Sequence, residues 1–242
     1  MKNLKNGLGI WQILNSNIIT DIIAKSGFDL TILDLEHGLH NPQTIYDCVS
    51  TAKANSLFTI ARIPSTSYEY IVQIIDSDVD AVLFPHIETN EQINQIIKQS
   101  FLPPLGNKSF SPFVTKYNYG SNKDTKQNPY IGILIESVKG INNSVNLFQE
   151  PNIDFVYFGA YDLSVEINKP GQIFNEEILE HLIKLIKYSK IYKKKILSIY
   201  RNSKELDILL NLGVDIPIAS VDTSHLMMKL KKESEYYLQI KS

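Results

Sequence analysis

Charged and polar residues recur directly after short apolar runs, and the chemistry of this chain has to be sought there. The runs lead into Asp34-Leu35-Glu36-His37-Gly38, Arg62-Ile63-Pro64, Pro85-His86, Glu136, Gly159-Ala160-Tyr161-Asp162, Tyr200-Arg201 and Asp222, with Trp11 near the end of the first. A charge set against a buried segment is costly unless water, a partner or a ligand meets it. Glu136 and Asp162 together make a hard, anionic oxygen site suited to Mg²⁺ or Mn²⁺. Taken singly, either one caps a helix or pairs with a lysine just as readily. Arg62 carries a planar fork that fits a substrate carboxylate; the same fork also serves an ion pair with Asp34 or Glu36. His37, after two acidic residues and before a glycine, suits a general base held by a carboxylate, or a purely structural place. Trp11 suits a core position or a pocket wall. His40, His86, His181 and His225 stand in weaker contexts. The stretch Gly159-Ala160-Tyr161-Asp162-Leu163-Ser164 can aim backbone N–H groups at an anion while bringing Asp162 to the same place.

These groups meet only if the runs before them are parallel strands. Eight runs fit: Gly9–Ile13, Leu30–Leu35, Phe58–Ile63, Ala81–Phe84, Ile131–Ile135, Phe155–Phe158, Ile196–Tyr200 and Ile216–Val221. They are rich in Ile, Val, Leu and Phe without polar alternation, the pattern of strands buried on both faces. The segments between them carry helical periodicity. Asn41-Pro42 opens one, with Ile45, Cys48, Val49 and Ala52 in a stripe; Asn90 opens another, with Ile93, Ile96 and Ile97 inward. Asn175 opens a third, with Ile178, Leu182, Leu185 and Ile186 at helical spacing. Repeated β–α alternation predicts an α/β fold, a (β/α)8 TIM barrel formed as one domain over residues 1–242. A doubly wound open sheet is the alternative, but no G-x-G-x-x-G follows the first strand. In a barrel, the C-terminal strand ends share one face, which is where the polar residues fall. Residues 101–129, rich in Pro, Gly, Asn and Ser, form a long stretch without a regular pattern. The lysines between 184 and 195 read as a solvated helix face and its end.

The bulk numbers agree. The chain has 242 residues, 43% hydrophobic and 21% charged, enough for a large core. The single cysteine, Cys48, excludes an internal disulfide and suits a reducing compartment. A net charge of −2 gives no reason to expect nucleic acid. No apolar run is long enough to cross a bilayer, and the start, with Lys2 and Lys5 before a short apolar stretch, lacks a signal-peptide cleavage site. The expected location is the cytoplasm.

The motifs together resemble the HpcH/HpaI aldolase family, the class II pyruvate aldolases. The likeness runs through GIW (9–11), GFD and LDLEHG (27–38), ARIP (61–64), IIDSDVDAVLFP (74–85), PPLG (103–106), IES (135–137), GAYDLS (159–164), PGQ (170–172) and SVDTS (220–224). The resemblance implies a barrel enzyme that cleaves or forms 4-hydroxy-2-oxo acids from pyruvate and an aldehyde through a metal-stabilised enolate. It implies Glu136 and Asp162 as ligands of Mg²⁺, Mn²⁺ or Co²⁺, and Arg62 as the holder of the 2-oxo acid. It implies His37 in acid–base chemistry, oriented by Asp76. Trp11 would line the pocket, and the backbone of Gly159, Ala160, Tyr161 and Asp162 would meet the substrate carboxylate. It further implies a homohexamer with C-terminal helices, here about 224–239, exchanged between subunits. Oxaloacetate decarboxylation would use the same ligands, and a barrel that only binds a 2-oxo acid is a third possibility. Three positions depart from the family pattern: Leu134 stands for Gln, Lys108 for Arg in Gly106-Asn107-Lys108, and Ala160 for Pro.

Overall fold

Eight short parallel strands close on themselves in the computed structural model, which describes residues 7–64, 67–122, 124 and 128–241. The lysine-bearing start and residues 123 and 125–127 of the long stretch lie outside the described residues. The strands are β1 (Gly9–Gln12), β2 (Leu30–Asp34), β3 (Phe58–Arg62), β4 (Ala81–Phe84), β5 (Tyr130–Ile135), β6 (Phe155–Phe158), β7 (Lys195–Tyr200) and β8 (Ile216–Val221). Each pairs with the next in parallel, and β8 pairs back onto β1. That last pairing selects the barrel over the open sheet. Strand side chains are buried on both sides, filling the interior or lying beneath helices. Gly132 makes room inside: a Cβ there would sit 2.1 Å from the Phe155 ring.

The helices return the chain from the C-terminal to the N-terminal strand ends. They are α1 (Asn17–Lys25), α2 (Pro42–Ala54), α3 (Tyr68–Asp76), α4 (Asn90–Ser100), α5 (Val138–Asn142), α6 (Ser144–Gln149), α7 (Ala160–Glu166), α8 (Glu176–Tyr192), α9 (Ser203–Leu212) and α10 (Asp222–Lys241). Helix α2 begins with a reciprocal capping box between Asn41 and Thr44 and has Pro in its first turn. The expected stripes of α2, α4 and α8 are all buried. The basic stretch is not simply solvated. Lys184 donates to the Ile141 carbonyl at 3.1 Å, Lys194 to the Glu150 carbonyl at 2.8 Å, and Lys195 pairs with Asp215. The described part of the long segment is anchored too. It holds a 3-10 turn (Thr115–Gly120), a buried Tyr117 stacked edge-on to Phe110, and Lys108 buried against Asp76.

One pattern at the N-terminal face escaped the sequence reading. An aspartate stands immediately before each even-numbered strand, and each accepts a backbone N–H at the start of the strand before. Asp29 takes Leu8 at 2.8 Å, Asp80 takes Thr59 at 2.8 Å, Asp154 takes Ile131 at 2.8 Å and Asp215 takes Ile196 at 3.0 Å. At the opposite face the β8–β1 seam is irregular. Its register shifts between Gly9 and Trp11, and Ser220 is left-handed (φ 47°). Asp222 bridges that seam, accepting N–H groups from Ile13 at 3.1 Å, Leu14 at 3.0 Å and Thr223 at 2.7 Å. This is not the pocket-facing role expected of the eighth strand end. Asp222→Ala leaves three backbone donors without that acceptor and should cost about 1–3 kcal/mol. Equilibrium urea unfolding measures it, and an unchanged midpoint would mean that water takes the place of the carboxylate.

Candidate active site

Two adjacent strand ends bring the principal acids together. Glu136 follows β5 directly, and Asp162 lies in the first turn of α7, just past β6. The intervening Gly159 is required by close approach: a Cβ there would stand 2.3 Å from the Glu136 Cβ and 3.0 Å from its Oε2. The Asp162 carboxyl lies within hydrogen-bonding reach of Glu136. Glu136 is only 5% exposed, while Asp162 is open to solvent. Burial pushes the Glu136 carboxyl up to about 8, and the facing charges of Asp162 and Glu36 add to the rise, against a backbone N–H from His86. The pair therefore holds a proton that a cation would displace.

A second cluster comes from β2 and β3, where Asp34 and Arg62 stand in register. The guanidinium grips Asp34 through Nε at 2.9 Å and Nη2 at 2.6 Å, and reaches Glu36 through Nη1 at 2.8 Å. Arg62 forms the ion pairs and also lines the cavity, with N–H bonds to spare. Burial opposes the charges, but the bidentate contact keeps Asp34 below and Arg62 above their ordinary ranges. Arg62 lies over the Trp11 ring, 4.5 Å from its centre, and the Trp11 indole N–H donates to Tyr157 Oη at 2.7 Å. Asp34, Arg62, Trp11, Tyr157 and Glu136 border one cavity of about 270 Å³, the size for a small acid rather than a large ligand. Trp11, His37, Gly159, Ala160, Tyr161 and Asp162 all line it.

Other expected groups are not brought there. Asp76 ends α3, which runs away from the mouth, and its carboxylate binds Lys108 at 2.6 Å instead of His37. The expected orientation of His37 by Asp76 is therefore absent within this chain. The His37 backbone N–H meets Asp34 at 3.3 Å, and its ring has no hydrogen-bond partner among the described residues. Arg201 turns to Glu205 and the Gly171 carbonyl. His40 is buried against the Gln12 carbonyl, and the exposed His225 meets the Ala219 carbonyl through Nε2 at 2.9 Å. Of the three departures, Leu134 and Ala160 border the cavity, whereas Lys108 lies apart from it.

Sequence reasoning undervalued two residues. His86 has a left-handed backbone (φ 56°) and spans two acids, with Nδ1 2.8 Å from Glu136 Oε1 and Nε2 3.1 Å from Glu36 Oε1. Its position after the fourth strand was the only signal. Tyr157 lies inside an apolar strand, where nothing distinguishes a cavity-facing tyrosine from a core one.

The donor set suits a hard divalent cation. Asp34, Glu36, Glu136 and Asp162 share this end of the barrel, Arg62 is engaged by the first two, and burial pushes Glu136 up to about 8. Among the described residues, no group of three or more His, Cys, Asp or Glu is arranged to hold an ion. The chain would then give two carboxylates and leave other positions to water or substrate, as is usual for Mg²⁺.

The Glu136 shift has a stability consequence. Its folded value of about 8 lies above the ordinary 4.5, so the folded chain binds the extra proton between them. The resulting stabilisation is full below the lower value and disappears as pH rises through the upper one. In chelator-treated protein, the stability of the wild type relative to Glu136→Gln should fall as pH rises through this window. Thermal unfolding across the range tests this; a pH-independent difference would show that Glu136 is already ionised.

Comparison with known proteins agrees with this architecture. Residues 8–227 match the HpcH/HpaI aldolase/citrate lyase family. A hydroxypyruvate/pyruvate aldolase of Roseobacter denitrificans is 26% identical over 196 residues, 77% of this chain and 76% of that protein. A 5-keto-4-deoxy-D-glucarate aldolase of Klebsiella pneumoniae is 27% identical over 175 residues, 71% of this chain and 68% of that one. A crystal structure of an HpcH/HpaI aldolase/citrate lyase family protein from Burkholderia cenocepacia superposes with a TM-score of 0.90 at 18% identity, covering 100% of this chain and 98% of that one. With the match running through every strand and both site carboxylates, the chain belongs to the HpcH/HpaI aldolase/citrate lyase family.

Proposed function

We propose that this chain is a divalent-metal-dependent aldolase that joins pyruvate, or a close 2-oxo acid, to an aldehyde and cleaves the resulting 4-hydroxy-2-oxo acid. The observation that supports this most is the facing of Glu136 and Asp162 beside Arg62 in one small cavity. The aldolase activities of the two relatives agree with it. Glu136 and Asp162 would hold the ion, which when bound supplies Lewis acidity toward the 2-oxo group.

The remaining steps belong to side chains. The uncommitted N–H bonds of Arg62 hold substrate oxygens and meet the negative charge that grows as the methyl proton leaves. Asp34 and Glu36 fix the guanidinium plane, so little reorganisation is needed during reaction. The first N–H groups of α7 have no partner within the helix and face the substrate carboxylate. His37, open at the rim with an uncommitted ring, takes the methyl proton in the synthetic direction or the 4-hydroxyl proton in cleavage. No lysine lines the cavity among the described residues, so no Schiff-base route is invoked.

The test is exchange of pyruvate methyl protons into D2O, followed by NMR with Mg²⁺, Mn²⁺ or Co²⁺. Wild type should exchange only with metal, and Glu136→Gln and Asp162→Asn should lose metal affinity and exchange together. Arg62→Lys keeps the charge but loses the fork, so it should raise the KM for the 2-oxo acid by about tenfold or more. Wild-type behaviour in all three variants would refute the assigned roles.

We further infer a hexamer with exchanged C-terminal helices, supported by the exposure of α10. Among its described residues only Asp222 is buried, while Met227, Leu230, Tyr236, Tyr237 and Ile240 are each more than half exposed. So much apolar surface on one helix requires a covering partner. Light scattering should give a multiple of the 27.6 kDa chain mass, falling to one chain when residues 226–242 are removed. A monomeric full-length chain would overturn this.

A further inference from the structure

We propose that Tyr157 is a further catalytic residue, whose hydroxyl donates a hydrogen bond to the 2-oxo acid at the oxygen where negative charge develops. The inference rests on the aldolase reading and extends it to a residue outside the roles assigned above. An indole N–H can only donate, so in the 2.7 Å contact between Trp11 and Tyr157 the phenol oxygen accepts. The hydroxyl proton must therefore point elsewhere. No acceptor for it stands within hydrogen-bonding range among the described residues, although the side chain is almost wholly buried. The ring borders the same cavity as Arg62 and Glu136, and a substrate oxygen there would complete its bonding. Burial keeps the phenol well above its ordinary range, so it remains a protonated, neutral donor.

The surroundings fix this donor in place. Trp11 stands edge-on to the Tyr157 ring, with centroids 5.2 Å apart, and packs against the Arg62 guanidinium on its face. Arg62, Trp11 and Tyr157 form one wall, in which a charged and a neutral donor are held without a flexible linker. Leu134, the register partner of Tyr157 on β5, also borders the cavity but offers no polar atom. Between these two paired positions, the donor comes only from β6. Preorganised donors of this kind act when charge develops, more than when the ground state binds.

One substitution separates catalysis from structure: Tyr157→Phe removes the hydroxyl and keeps the ring. In metal-dependent methyl-proton exchange of pyruvate, Tyr157→Phe should lower kcat by roughly 100-fold with KM nearly unchanged. Calorimetry with oxalate, a planar mimic of the enolate, should show weaker binding to Tyr157→Phe than to the wild type. A wild-type kcat in Tyr157→Phe, or a loss confined to KM, would overturn the proposal. If Tyr157→Phe does not fold, 3-fluorotyrosine at the position keeps the shape and strengthens the donor. Then kcat must rise at constant KM, and an unchanged kcat overturns the proposal. Failure of the wild type to exchange with any metal would instead sink the aldolase reading, and this role with it.

Discussion

A buried carboxyl facing a second carboxyl cannot stay ionised without a positive charge beside it, and the mouth of this barrel is organised around that constraint. Glu136 is enclosed by the ends of β5 and β6, and a side chain at 159 would leave no space for it. Its neighbours include Asp162 and Glu36, while the nearby guanidinium is already committed to Asp34 and Glu36. The chain thus separates two electrostatic tasks on one rim. The β2–β3 side is neutralised internally by a bidentate ion pair and is rigid. The β5–β6 side is left short of positive charge, and burial there favours the protonated Glu136 carboxyl.

Much of this was legible in the sequence because a barrel converts chain order into spatial order. Once eight buried strands were recognised, Arg62, Glu136 and Asp162 had to lie at one end. The apolar stripes of α2, α4 and α8 followed from periodicity, since helix burial depends on local spacing. What stayed hidden depended on direction and pairing. Asp76 was expected beside His37, yet α3 carries it away from the mouth to the buried Lys108. Asp222 carries the same charge as Asp162, but a distorted seam supplies it with three backbone donors. Tyr157 resembled any strand aromatic until its partner proved to be a donor-only indole.

His86 shows a different limit. Its left-handed backbone turns the ring across the rim, so one side chain joins the acid of each cluster. Sequence spacing carries no information about backbone handedness at a non-glycine residue. The result links Glu36 to Glu136 across the mouth, so a group entering between them meets an established hydrogen-bonded arrangement.

The four aspartates at the closed end of the barrel carry a consequence for its construction. Each ties an odd strand to the even strand after it, and none ties an even strand to the odd one that follows. The barrel is therefore divided into four quarters, each with its own internal latch against slippage. The joints between quarters have no such latch at this end; at the other end the Asp34–Arg62 pair spans β2 and β3, and Asp222 spans β8 and β1. A chain built this way can fix strand alignment piece by piece as it emerges, and needs only one late closing event to become a ring.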